Sequence, residues 1–305
     1  MKKRHLTGVL AFTAAASLAL VGCSSNGDTG DTAEPTESDS MGTITLGFLP
    51  SWTDGLSTAY LLENQLEKLG YEVEMEELTE ASVLYTGLAG GDIDMYPSAW
   101  SEVTHASYME QYGDNIEDLG AYYDGAVLTL AVPEYMDDVN SIEDLKGQAA
   151  RFNGEIIGIE PSAGLTKQTQ EVAMPEYGLD SEYELVTSST SAMLATLQDK
   201  IDSEEDVVVT LWRPFWANAA FPIKDLEDPM GAMGEPESLH FLGTLGFSEE
   251  FPEAAEYIAN IKLDDDAYGA LEGLVTGDEF EGDPAGAVEA WLADHADAYP
   301  GILTD

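Results

Sequence analysis

Basic residues are scarce in this chain of 305 residues. Eleven Lys and Arg stand against 59 Asp and Glu, a formal net charge of −48. A surface of that sign repels phosphate, which excludes nucleic-acid binding through released counterions. It also repels anionic lipid headgroups, so any membrane attachment has to be covalent or hydrophobic. Cysteine occurs once, at Cys23, and cannot form an internal disulfide. Histidine occurs four times, and His105, His240 and His295 lie far apart without metal-ligand spacing. G-x-S-x-G, H-E-x-x-H, the phosphate-binding P-loop and G-x-G-x-x-G are all missing. Asp264-Asp265-Asp266 and Asp278-Glu279 lack the spacing of a calcium loop and read as solvated surface. These absences argue against an enzyme, against a resident metal and against a cofactor. A secreted hydrolase survives only as a remote alternative.

What is present is material for a core. Hydrophobic residues make up 44% of the chain and aromatics 9%, which excludes disorder for most of it. The N-terminus sets a compartment. Lys2, Lys3 and Arg4 precede an apolar stretch over residues 6–21 that fits a secretory leader, residues 1–22. Leu20-Val21-Gly22-Cys23 resembles the lipobox of bacterial lipoproteins, which implies that Cys23 carries the acyl chains. The expectation is an extracytoplasmic protein held at the outer face of the cytoplasmic membrane through its lipid alone. Residues 23–42 lack an apolar period and read as a flexible tether, with ordered structure beginning near Thr43.

From there strands and helices alternate. Residues 43–49, 71–77, 93–96 and 127–132 read as strands, and residues 56–69, 82–89 and 104–112 as helices. Gly70 is placed to cap the first helix and Gly90-Gly91 to stop the second. Ser141-Ile142-Glu143-Asp144 is a capping-box signal. Strands over 156–159, 184–186 and 207–211 follow, with helices over 164–174 and 191–200 between them, and then three helices over 252–260, 265–275 and 285–295. Two α/β series predict two lobes: lobe I over 43–132, lobe II over 133–212, and a return to lobe I over 213–305. Open α/β sheets bind ligands in the crevice beyond their strand ends.

Three of the five Trp fall at such ends. Trp52, Trp100 and Trp212 each follow a predicted strand, whereas Trp216 and Trp291 read as packing. Indole faces attract cations, by about 2 kcal/mol or more when desolvated. A quaternary ammonium cannot donate a hydrogen bond, so aromatic faces are its natural receptor.

Ordered motifs make the chain recognisable. They include Gly47-Phe48-Leu49-Pro50-Ser51-Trp52, then Asp54-Gly55-Leu56, and Gly91-Asp92-Ile93-Asp94 leading to Ala99-Trp100. Val103-Thr104-His105 with Tyr108, Gly158-Ile159-Glu160-Pro161-Ser162-Ala163-Gly164, and Leu211-Trp212-Arg213-Pro214-Phe215-Trp216 follow. From about Thr43 to Trp291 the chain resembles the substrate-binding proteins of glycine betaine/proline betaine ABC importers. The resemblance implies an α/β fold of the two-lobed, periplasmic-binding-protein-like class (type II), with the ligand cleft between the lobes. It implies an aromatic cage containing Trp100 and Trp212, carboxylate binding by the backbone N–H groups of Gly55 and Leu56, and a place for His105 in the site. A helix N-terminus offers such donors on physical grounds alone. The chain departs from the family at Ser101-Glu102, at Phe215, and at Leu263, where some members place a third cage Trp. Trp52 or Tyr268 could supply that wall. The implied ligand is glycine betaine, with choline, carnitine, proline betaine and ectoine as alternatives, and the implied partner is an ABC permease with its ATPase. A betaine has no net charge, so the anionic surface does not steer it. That surface suits high ionic strength, where a halotolerant cell uses such osmolytes for osmoprotection.

Overall fold

A run buried from Leu46 through Phe48 ends the first strand, β1 (Thr43–Phe48), in the computed structural model, which describes residues 41–304. The leader, Cys23 and the tether up to residue 40 lie outside the described residues. Helix α1 (Thr53–Leu69) carries the chain across to β2 (Glu72–Glu77), which pairs with β1 in parallel. Leu61, Leu62 and Leu66 bury the inner face of α1. Gly70 ends it in the left-handed conformation at φ 103°, open to glycine at little steric expense. Helix α2 (Ala81–Gly90) then leads to β3 (Met95–Ala99), also parallel to β1, and α3 (Ala106–Tyr112) follows.

The next strand joins the two lobes. β4 (Ile116–Pro133) is 18 residues long. Residues 116–126 pair with β9 (Glu237–Thr244), while residues 127–131 pair with β7 (Val209–Arg213) and residues 131–133 with β8 (Ile223–Asp225), all antiparallel. β5 (Glu155–Ile157) and β6 (Glu184–Val186) complete lobe II in parallel pairs, β5 lying against β7. The strand order is β2-β1-β3-β9-β4-β7-β5-β6, with β8 on β4.

Lobe II helices are α4 (Gly164–Gln168), which runs through a π turn (Thr169–Ala173) into α5 (Met174–Tyr177), and α6 (Thr190–Asp202). Ser141 forms the expected capping box with Asp144, over a short 3-10 turn. After α7 (Ala217–Ala220) and β9, the helices α8 (Phe247–Glu250), α9 (Pro252–Ile258), α10 (Asp265–Thr276) and α11 (Pro284–Asp294) return to lobe I, where α10 and α11 pack on α1. Trp291 is fully buried there, its Nε1–H donating to the Ala267 carbonyl at 2.9 Å.

Two boundaries move from their expected places. Strand pairing switches lobes within β4, between residues 126 and 127, rather than at 132. The return begins at β9, near residue 237, rather than at 213, because β8 still pairs with the lobe II half of β4. β8, β9 and the first half of β4 are absent from the sequence reading. Register shifts at Asp118/Gly120, Ala121/Tyr123 and Asp124/Ala126 interrupt the alternation that would have announced the paired β4 segment.

Candidate functional site

Between the lobes lies a small, nearly filled cavity of about 30 Å³. Lobe I contributes Trp52, Asp54, Trp100, Thr104 and His105, Leu128 comes from β4, and Ile159, Ala163, Gly164, Leu165 and Trp212 come from lobe II. The three indoles are only 8%, 5% and 5% exposed, so all three line the cavity while largely shielded from solvent.

Each ring has a distinct anchor. Trp52 is the N-cap of α1, and its Nε1–H donates to Glu160 Oε2 at 3.2 Å while its ring stacks on His105, centroids 6.0 Å apart. Trp100 is the first residue beyond β3, and its Nε1–H donates to Asp54 Oδ2 at 3.0 Å. Trp212 lies inside β7, opposite Leu128, rather than beyond the strand end, and stacks on Phe215 at 4.0 Å.

His105 fixes the lobe I wall. Its Nδ1 accepts the Trp100 backbone N–H at 3.2 Å, which places the ring proton on Nε2. Burial pushes its pKa down to about 3, so the ring is neutral at pH 7.

Asp54 is the ionisable group of the cavity, and the sequence reading did not single it out. It accepts from Ser98 Oγ at 2.6 Å and from Trp100 Nε1–H. Burial raises its pKa more than those bonds lower it. Its sequence signal was an acid in the first turn of a helix, which usually means only a favourable dipole contact.

The cavity thus gathers three indoles, a neutral imidazole and one carboxyl. The family model described as the substrate binding domain of an ABC-type glycine betaine transport system matches residues 42–294. The chain belongs to that family. It is a family of transporter substrate-binding proteins rather than of enzymes, and the two-lobed fold is that of type II periplasmic binding proteins. The chain is 36% identical over 116 residues to the glycine betaine/carnitine transport binding protein GbuC of Listeria monocytogenes, a match spanning 38% of each chain. It is 30% identical to the lactococcal OpuAC structure, closed with glycine betaine, at a TM-score of 0.76 over 84% of this chain and 97% of that one. A choline-binding protein of an ABC transporter, in complex with choline, superposes at a TM-score of 0.75 with 25% identity, over 84% of this chain and 89% of that one.

The binding protein brings Trp52, Trp100, Trp212 and His105 together at one cavity. Gly55, Leu56 and Tyr268 are not among the residues lining it. The Leu56 N–H donates to the Trp52 carbonyl at 3.0 Å inside the helix, and the Gly55 N–H serves the Asp54 carboxyl. Tyr268 is buried beside Tyr122 and Tyr123 and borders a wider cavity lined also by Phe215, Trp216 and Glu272. Leu263 is buried against β4, its N–H donating to the Tyr122 carbonyl at 2.8 Å. Of the two residues expected for a third wall, Trp52 lines this cavity and Tyr268 lines the wider one. Among the described residues no group of His, Cys, Asp and Glu is arranged to hold a metal ion, and no helix is long and apolar enough to cross a membrane.

Proposed function

We propose that the protein is an extracytoplasmic receptor, lipid-anchored through Cys23, that binds glycine betaine or a related quaternary ammonium osmolyte and delivers it to an ABC permease with its ATPase. The observation that carries this reading is the convergence of Trp52, Trp100 and Trp212 on one shielded cavity. Three aromatic faces replace the hydration of a trimethylammonium group without asking it for a hydrogen bond. The carboxylate of a betaine would meet the His105 Nε2–H and the Asp54 carboxyl in its protonated form.

A second ligand, choline, is favoured by Asp54 itself. Ionised, that side chain attracts a cation and repels the carboxylate of a betaine, and the Leu56 N–H is already engaged. The two ligands have opposite pH dependences. As pH rises Asp54 loses its proton, so glycine betaine should bind more weakly and choline more tightly. Calorimetric titration of both ligands from pH 5 to 8, with Asp54→Asn as a variant that flattens both trends, checks this. Tight glycine betaine binding that weakens with pH supports the primary reading. Choline at least tenfold tighter and strengthening with pH moves the assignment to choline, and binding of neither contradicts both.

The anionic surface fits a salt-rich surrounding, because mobile ions screen like charges over about 10 Å or less at and above 0.1 M. Melting temperature should rise between low and molar KCl. An unchanged or falling value would remove the halotolerance reading.

A further inference from the structure

A carboxylate buried between the lobes is shared by both. Glu160 belongs to lobe II and is 5% exposed. Within its own lobe it accepts the Thr190 N–H at 2.9 Å and the Thr190 hydroxyl at 2.8 Å, at the start of α6. From lobe I it accepts the Ser51 hydroxyl and the Trp52 Nε1–H, each at 3.2 Å. Thus two of its four donors arrive only when the lobes meet. Trp52 depends on the same contact, since Glu160 is the partner of its indole N–H.

The neighbouring turn shows how closely the lobes approach. Gly164, the first residue of α4, faces Thr104 of lobe I. A Cβ placed on Gly164 would lie 2.6 Å from the Thr104 methyl and 2.7 Å from its carbonyl carbon, both well inside contact distance. The three atoms nearest to that Cβ all belong to Thr104, so the clash arises across the lobe boundary. Next to it Tyr108 donates to the Ser162 carbonyl at 2.7 Å, and Ser162 donates to Glu80 at 2.5 Å, again from lobe to lobe.

We infer that Glu160 is a positioning residue that reaches across the cleft and sets Trp52 as the third aromatic wall, and that Gly164 is the position that admits the closed form. This deepens the aromatic-cage reading and rests on it.

The first test is a double-mutant cycle in the full chain, read by calorimetry and dissociation rate with glycine betaine, choline and carnitine. Trp52→Phe keeps an aromatic face and removes the N–H, while Glu160→Gln keeps the side-chain volume and weakens the acceptor. Each should weaken binding about tenfold or more, chiefly through faster dissociation. The double variant should bind more tightly than the product of the two single losses predicts, because the Trp52–Glu160 bond is common to both changes. Multiplicative losses would overturn the inference.

A second test needs no ligand. Dyes at Val83→Cys and Val172→Cys, one exposed site on each lobe, report the interlobe distance in a Cys23→Ser background. Sucrose is excluded from protein surfaces and favours the compact state. The distance should shorten with sucrose in the parent protein and fail to shorten in Gly164→Ala and in Glu160→Gln. Equal shortening in all three overturns the inference. If the parent binds none of the three ligands, the functional reading fails by itself and the dye distances still decide the role of Glu160 and Gly164.

Discussion

Trp100→Ala should weaken quaternary-ammonium binding roughly a hundredfold to several-thousandfold, a larger loss than Trp212→Ala should cause. Loss of one desolvated aromatic face removes about 2 kcal/mol, and each 1.4 kcal/mol is tenfold in affinity. The rest comes from Asp54. Trp100 Nε1–H is one of two side-chain donors to that buried carboxyl. Truncation leaves an acceptor short of a partner, which costs about 1–3 kcal/mol. Trp100→Phe separates the two contributions, since it keeps a ring face and loses only the donor. Trp212→Ala should fall nearer thirtyfold, the loss of a face alone, because its ring is backed by Phe215 rather than tied to the carboxyl. Calorimetry on the three variants checks the order. An affinity equal to that of the parent in both alanine variants would remove the cage.

A second large effect concerns stability and pH. Glu272 on α10 is 4% exposed, and burial, opposed by the Thr53 hydroxyl bond, pushes its pKa from 4.5 up to about 7, with the Asp54 charge adding to the rise. Between those two values the folded protein keeps a proton that the unfolded chain has released. Stability therefore falls as pH rises from 4.5 to about 7 and levels off above it. The difference corresponds to about 3 kcal/mol at 1.36 kcal/mol per pH unit. Glu272→Gln resembles the protonated form and should match the parent near pH 4.5, then exceed it by that amount above pH 7. Denaturant unfolding of both proteins across the range gives the difference directly, with the contributions of the other acids cancelling. A constant difference would show that burial does not hold the proton there.

Much of this site was legible from residues because strand ends are legible. The strands β1 and β3 are short buried runs closed by turn signals; Trp100 lies immediately beyond β3, and Trp52 caps α1 after the turn that follows β1. Local capping was legible for the same reason: Gly70 and Gly91 both take the left-handed conformation that ends α1 and α2. The long crossing pair β4–β9 was not. Its partners are more than 100 residues apart, and Gly120 and Gly125 sit at positive φ amid acids, so no local period announces it. Without that pair the change of strand partner within β4 was not visible. Asp54 and Glu160 were hidden differently. In a chain with 59 acidic residues an acid looks like surface, and only tertiary structure shows that these two are buried with indole N–H groups as donors. The Leu56 N–H is engaged within the helix for a local reason. Trp52 caps the helix one turn earlier than the apolar spacing suggested, so by Leu56 the helical bonds have begun. Tyr268 was placed by its region alone, and α10 turns it toward Tyr122 and Tyr123.

The aromatic cage is tested most directly by a crystal structure of the protein grown with glycine betaine. The quaternary nitrogen should lie between Trp52, Trp100 and Trp212, within about 6 Å of each ring centroid, with Glu160 still bonded to the Trp52 indole. A ligand seated instead in the wider cavity beside Trp216 and Tyr268, or with its methyl groups turned away from the three rings, would contradict the account.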